Sequence, residues 1–118
     1  MGYCHCAPCR PWSAGPVNVF TLWKPEGMKV TKGAGRIGPF PKSENSVRNF
    51  CKERGGHLMT YHPVWGITDV YAATLPGSAF TPVVHVNYAE TVLPMKGGLP
   101  KMRDFPADLG GGGQVMAE

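Results

Sequence analysis

At 118 residues and a formal net charge of +4, the chain is long enough for one modest core and has only a mild positive excess. Its lysines and arginines are scattered, so nucleic acid is not an expected partner. No apolar run approaches the roughly 18 residues of a membrane span, and no secretory leader is visible. The 16 glycines and 12 prolines break up long helices and favour short strands joined by turns.

In chain order, Cys4-His5-Cys6-Ala7-Pro8-Cys9 comes first and holds all but one of the cysteines. Val17 to Trp23 alternates with a period of two and predicts a strand. Turn signals follow at Lys24-Pro25-Glu26-Gly27, Gly33-Ala34-Gly35 and Gly38-Pro39-Phe40-Pro41. Ser43 to Val47 is the one segment expected to form a short helical turn. His57 to Tyr61, Thr68 to Leu75 and Val83 to Tyr88 predict three more strands. Leu93 to Pro106 is expected to wander over the surface. Residues 107–118 form a Gly-rich tail whose Gly110–Gly113 run has no core-forming partner nearby, and the tail is expected to be flexible. The whole reads as an all-β domain over residues 1–106.

The cysteine cluster carries the chemistry. In extended backbone, residues i and i+2 project to one side, so Cys4 and Cys6 can reach one ion while His5 points the other way. A turn through Ala7 and Pro8 swings Cys9 back to the same point. Three thiolates suit Zn²⁺, which prefers four ligands. A catalytic site leaves one position open, whereas a structural site is closed by protein. A redox pair at Cys6 and Cys9 would be expected after a strand in a βαβ setting, which this chain lacks. With no secretory signal, four cysteines argue for a reducing, cytoplasmic compartment.

Cys4-His5-Cys6-x-x-Cys9-Arg10, then Ser13 and Gly15, resembles the zinc motif of the glutathione-dependent formaldehyde-activating enzyme family, whose domain is shared with centromere protein V. The likeness continues through Ser43-Glu44-Asn45-Ser46-Val47-Arg48-Asn49-Phe50-Cys51 and Gly55-Gly56-His57-Leu58. It returns at Ala73-Thr74-Leu75, Pro82 and His85-Val86, so that it spans about Tyr3 to Pro106.

The resemblance implies an Mss4-like fold, several small coiled antiparallel sheets around zinc. It also implies a carbon–sulfur lyase that forms or cleaves an adduct of a small thiol, glutathione, with formaldehyde. Cys4, Cys6 and Cys9 would then be both metal ligands and catalytic centre. Arg10 and Arg48 would meet the carboxylates of the thiol, and His85 would line the site as a donor or proton shuttle. The family's second, structural zinc site is incomplete: its first Cys-x-Cys strand is not represented, and Arg54 stands where a partner of Cys51 is expected. One zinc per chain is therefore expected, with Cys51 a buried thiol. An uncovered sheet edge is expected to make a homodimer. A non-enzymatic module, with zinc serving only to stabilise a binding domain, stays open as the alternative.

Overall fold

A computed structural model describes all of residues 1–118. It is nearly all β, as the alternation implied. The strands are β1 (Gly2–Cys4), β2 (Asn18–Trp23), β3 (Ile37–Ser43), β4 (Ser46–Cys51), β5 (His57–His62), β6 (Ile67–Tyr71), β7 (Val84–Val86), β8 (Lys101–Met102) and β9 (Val115–Met116). One short helix, α1 (Cys9–Ser13), interrupts them, together with single turns of 3₁₀ helix. The chain divides into two compact units, Met1–Phe20 with Ala79–Glu118, and Thr21–Ser78.

In the first unit, β1 pairs antiparallel with β2 and parallel with β7; β7 pairs parallel with β8, and β8 antiparallel with β9. Gly2 makes the β1–β7 contact possible: a Cβ built there would stand 2.5 Å from the Val84 carbonyl oxygen. Phe20, Val86 and Tyr88 are buried, but so are His5, Asn18, His85, Asn87 and Lys101. A core this polar requires its buried groups to find hydrogen-bond partners.

In the second unit, β3, β4, β5 and β6 form an antiparallel meander. Val70, Thr21, Arg48 and Thr60 are buried. The Thr21 hydroxyl donates to the Val70 carbonyl at 2.8 Å and accepts the Trp23 indole N–H at 2.6 Å, giving that indole its partner.

Several expectations need correction. Residues 43–47 are not helical. Ser43 and Ser46 face each other across the Glu44-Asn45 loop of the β3–β4 hairpin. The prolines of β3 suggested a turn, yet β3 lies at a sheet edge, where a missing N–H costs no ladder bond. The strand expected over 68–75 stops at Tyr71, where a 3₁₀ turn begins and the Thr74 hydroxyl donates to the Tyr71 carbonyl at 2.7 Å. The strand expected over 83–88 stops at Val86, because Asn87 takes a left-handed conformation with φ 53°. The strand expected over 57–61 runs one residue further, to His62, whose Nδ1 is 2.6 Å from the Asn45 carbonyl.

Past the glycine run, Val115–Met116 pairs with Lys101–Met102. Glu118 accepts from the Gly97 and Gly98 amides at 2.8 and 3.1 Å and meets Lys101 Nζ at 3.3 Å. Gly110 to Gly113 thus leads into a strand that does have a partner.

Candidate metal centre

Cys4 ends β1, Cys6 sits in the connection, and Cys9 opens α1. The turn anticipated at Ala7-Pro8 is present, with the Cys9 and Arg10 amides donating to the Cys6 carbonyl at 3.2 and 3.4 Å. Pro8 caps the helix and Pro11 lies in its first turn, where a missing N–H breaks no intrahelical bond. The Ser13 hydroxyl donates to the Cys9 carbonyl at 3.0 Å and also bonds Asn18 Oδ1, fixing the helix to β2.

The three sulfurs lie within 4.8 Å of one another, and all three residues are half-buried. Zinc–thiolate bonds are about 2.3 Å, so two sulfurs on one tetrahedral ion stand about 3.8 Å apart. Small rotations of the thiols close that difference, and the donor set fits Zn²⁺.

Without a metal ion the Cys4 and Cys6 sulfurs are held as protonated thiols. For Cys4, the hydrogen bond with Cys6 is the largest single influence and favours its thiolate. The Cys9 contact, burial and the charge of Cys9 outweigh it, so the thiol is pushed up to about 12. Cys6 is pushed up by its hydrogen bonds to Cys4 and Cys9 and then by burial. Holding all three as thiolates would require a compensating cation, which a divalent metal ion could supply.

Two supporting residues were not legible as such. Asn87 donates its side-chain amide to Cys4 Sγ at 3.4 Å, and Glu90 accepts the Ala7 amide at 3.1 Å. In the sequence, Asn87 reads as one polar position in an alternating strand. Only its left-handed backbone, which asparagine tolerates better than most residues, turns the amide toward the sulfur.

Among the expected site residues, Arg10 lies on α1 next to the thiols, half-buried, with an Nε that is buried and has no protein acceptor. His5 points away from the thiols, as the two-residue period requires. It is fully buried and meets His85 Nδ1 through its Nε2 at 3.0 Å. His85 also stacks on Tyr3 at 4.8 Å, on the face of the β1 strand opposite Cys4. Arg48 belongs to the second unit, buried on β4 opposite Thr60. Its charge adds to burial in lowering the pKa of His57. Cys51, also in the second unit, is half-buried at the end of β4 and not fully buried as expected.

A β-rich fold that gathers three thiols within 4.8 Å at the end of β1 and the turn after it offers a donor set that could hold a metal ion. The comparisons with known proteins give such a chain its family. The model of the family described as glutathione-dependent formaldehyde-activating enzyme matches residues 1–90, and the chain belongs to that family. A crystal structure of a Rhodobacter sphaeroides protein is similar in fold, with 19% sequence identity and a TM-score of 0.53 over 66% of this chain and 70% of that one. No curated protein matches the chain.

Proposed function

We propose that the protein is a zinc-dependent carbon–sulfur lyase that forms and cleaves the adduct of a small thiol, glutathione, with formaldehyde. The observation that carries this reading is the half-buried trio of Cys4, Cys6 and Cys9 sulfurs within 4.8 Å, set on the family's motif. One zinc held by these residues supplies, when bound, a Lewis-acid position that favours the thiolate form of an incoming thiol.

The chain's own residues position that chemistry. Asn87 orients Cys4 through its amide, and Glu90 holds the Cys6–Cys9 turn by the Ala7 N–H. Arg10, next to Cys9 on α1, binds a carboxylate of the thiol substrate by a charge-assisted hydrogen bond from its terminal guanidinium nitrogens. In the adduct-forming direction a carbon–sulfur bond forms, the carbonyl π bond breaks, and the thiol proton ends on the carbinol oxygen. The reverse reaction returns that proton to sulfur, and neither direction needs an oxidant. A reducing compartment such as the cytoplasm suits thiols that are to hold a metal ion. No helix is long and apolar enough to cross a membrane.

The test is magnetisation-transfer NMR of glutathione with ¹³C-formaldehyde, with and without zinc-loaded protein. The expected result is exchange between free and adduct-bound carbon faster than the spontaneous rate. Arg10→Ala should lower the rate for glutathione more than for a thiol without carboxylates. Exchange no faster than the spontaneous rate for either thiol overturns the enzymatic reading and leaves a zinc-stabilised binding module.

A further inference from the structure

The second unit contains a cavity of about 690 Å³, and all of its lining residues fall within Thr21–Ser78. Its volume is that of a small-molecule site, roughly 300–1,000 Å³. The catalytic reading makes no use of it.

The wall is apolar, with Trp23, Met28, Leu58, Val70 and Leu75 contributed by separate strands and connections. The rim is basic. Lys29, Lys32, Arg36 and Arg54 border the cavity against one carboxylate, Glu53. Glu53 is paired to Arg36 at 3.1 Å, so the remaining three cations face the opening without an acidic partner. The mild positive excess of the whole chain is therefore concentrated at one opening, a distribution that its scattered order in the sequence hides. Segment 28–33, between two 3₁₀ turns, supplies both kinds of contact: Met28 and Val30 are apolar, Lys29 and Lys32 basic. The half-buried Cys51 thiol lines the same cavity.

We propose that this cavity binds an amphipathic organic anion, an apolar chain or ring ending in an acid group. The body sits against Trp23, Leu58 and Leu75, and the acid group meets Lys29, Lys32 and Arg54 at the rim. Burying the apolar body supplies most of the affinity. The cations select the sign of the head group.

Dodecanoate is the probe, with dodecyltrimethylammonium as the control of opposite charge and equal chain length. Binding is read by tryptophan fluorescence and by protection of Cys51 from N-ethylmaleimide, mapped at the Cys51 peptide by mass spectrometry. The expected result is that dodecanoate quenches fluorescence and protects Cys51, and that its affinity falls as salt rises. Arg54→Glu and the double variant Lys29→Gln/Lys32→Gln should each weaken dodecanoate by about tenfold or more. All three positions are exposed, so these variants should fold normally. Three outcomes overturn the proposal: no binding, equal affinity for both amphiphiles, or binding that neither protects Cys51 nor responds to the rim variants. Because Trp12 lies on α1 beside Cys9, the decisive readouts are Cys51 protection and the rim variants, which lie outside the metal centre, so the lyase reading stands or falls separately.

Discussion

His5 Nε2 and His85 Nδ1 meet at 3.0 Å although 80 residues separate them in sequence. His5 Nδ1 is 2.8 Å from the Thr91 hydroxyl, and Tyr88 packs edge-on against both imidazoles. The contact anchors the backbone between Cys4 and Cys6 from the side opposite the thiols. One ring must donate and the other accept, so both imidazoles cannot be charged here without losing the bond.

This pair makes stability sensitive to acid. Burial, then the charges of His85, Lys101 and Arg10, lower His5 to about 4 from an ordinary 6.5. Burial and then Lys101 lower His85, with Glu118 opposing them. Between the folded and unfolded values the unfolded chain binds more protons, so the stabilisation is complete above about pH 6.5 and is lost as pH falls toward 4. Each unit of separation is worth about 1.4 kcal/mol. Urea midpoints measured from pH 7.5 downward should fall through this window, and His85→Gln, which cannot titrate, should flatten the fall. An equal slope in that variant would assign the acid sensitivity to other groups.

Metal binding should release protons. The thiols of Cys4 and Cys6 are held up while metal-free, so an incoming zinc ion must displace those protons. Calorimetric enthalpies of zinc binding should therefore vary with the ionisation enthalpy of the buffer, and affinity should weaken as pH is lowered. Cys6→Ser should abolish tight binding, since a hydroxyl is a poor zinc ligand beside a thiolate. Asn87→Gly keeps the left-handed backbone but removes the amide from Cys4 Sγ. It should cost about tenfold in zinc affinity. Wild-type affinity in Asn87→Gly would mean that the amide only fills space.

The thiol cluster and the direction of His5 were legible because a two-residue period and a short turn fix them locally. Arg10 was legible for the same reason, by adjacency to Cys9. The β3–β4 hairpin was not, because Pro39 and Pro41 signal a turn wherever β3 is not known to be an edge. The pairing of β8 with β9 rests on two residues in each strand, too short for any periodicity. Burial of Lys101 runs against the usual exposure of lysine and follows only once Tyr88 and Glu118 converge on it. His85 matched the family's pattern, but its partner His5 is specified by strand pairing and no feature of the sequence near either residue announces it.

Gly2 is required by contact and not by conformational freedom. A Cβ there would lie 2.5 Å from the Val84 carbonyl oxygen and 3.0 Å from the Phe20 ring, and backbone cannot yield as a flexible side chain can. Gly2→Val should force β1 away from β7 and displace Cys4 from Asn87. Lower thermal stability and weaker zinc binding are expected together. Normal zinc binding with reduced stability would show that the Cys4–Cys9 turn keeps its form without the β1–β7 pairing.

Lys101 and Glu118 give an asymmetric prediction. Lys101 is 1% exposed, with its ammonium 3.3 Å from the Glu118 carboxylate, 3.4 Å from the Leu99 carbonyl and 5.6 Å from the centre of the Tyr88 ring. The carboxylate is partly open to solvent and is held below its ordinary pKa by the Gly97 amide first and by Lys101 second. Glu118→Ala removes one partner and leaves a buried ammonium whose remaining contacts cannot neutralise it. Lys101→Met removes the buried charge and keeps most of the side-chain volume. Glu118→Ala should therefore lower the melting temperature more than Lys101→Met. In the double variant most of the loss from Glu118→Ala should be recovered, because the charge that needed a partner is gone. A melting temperature for Lys101→Met below that of Glu118→Ala would mean that the lysine stabilises the unit through contacts other than this ion pair.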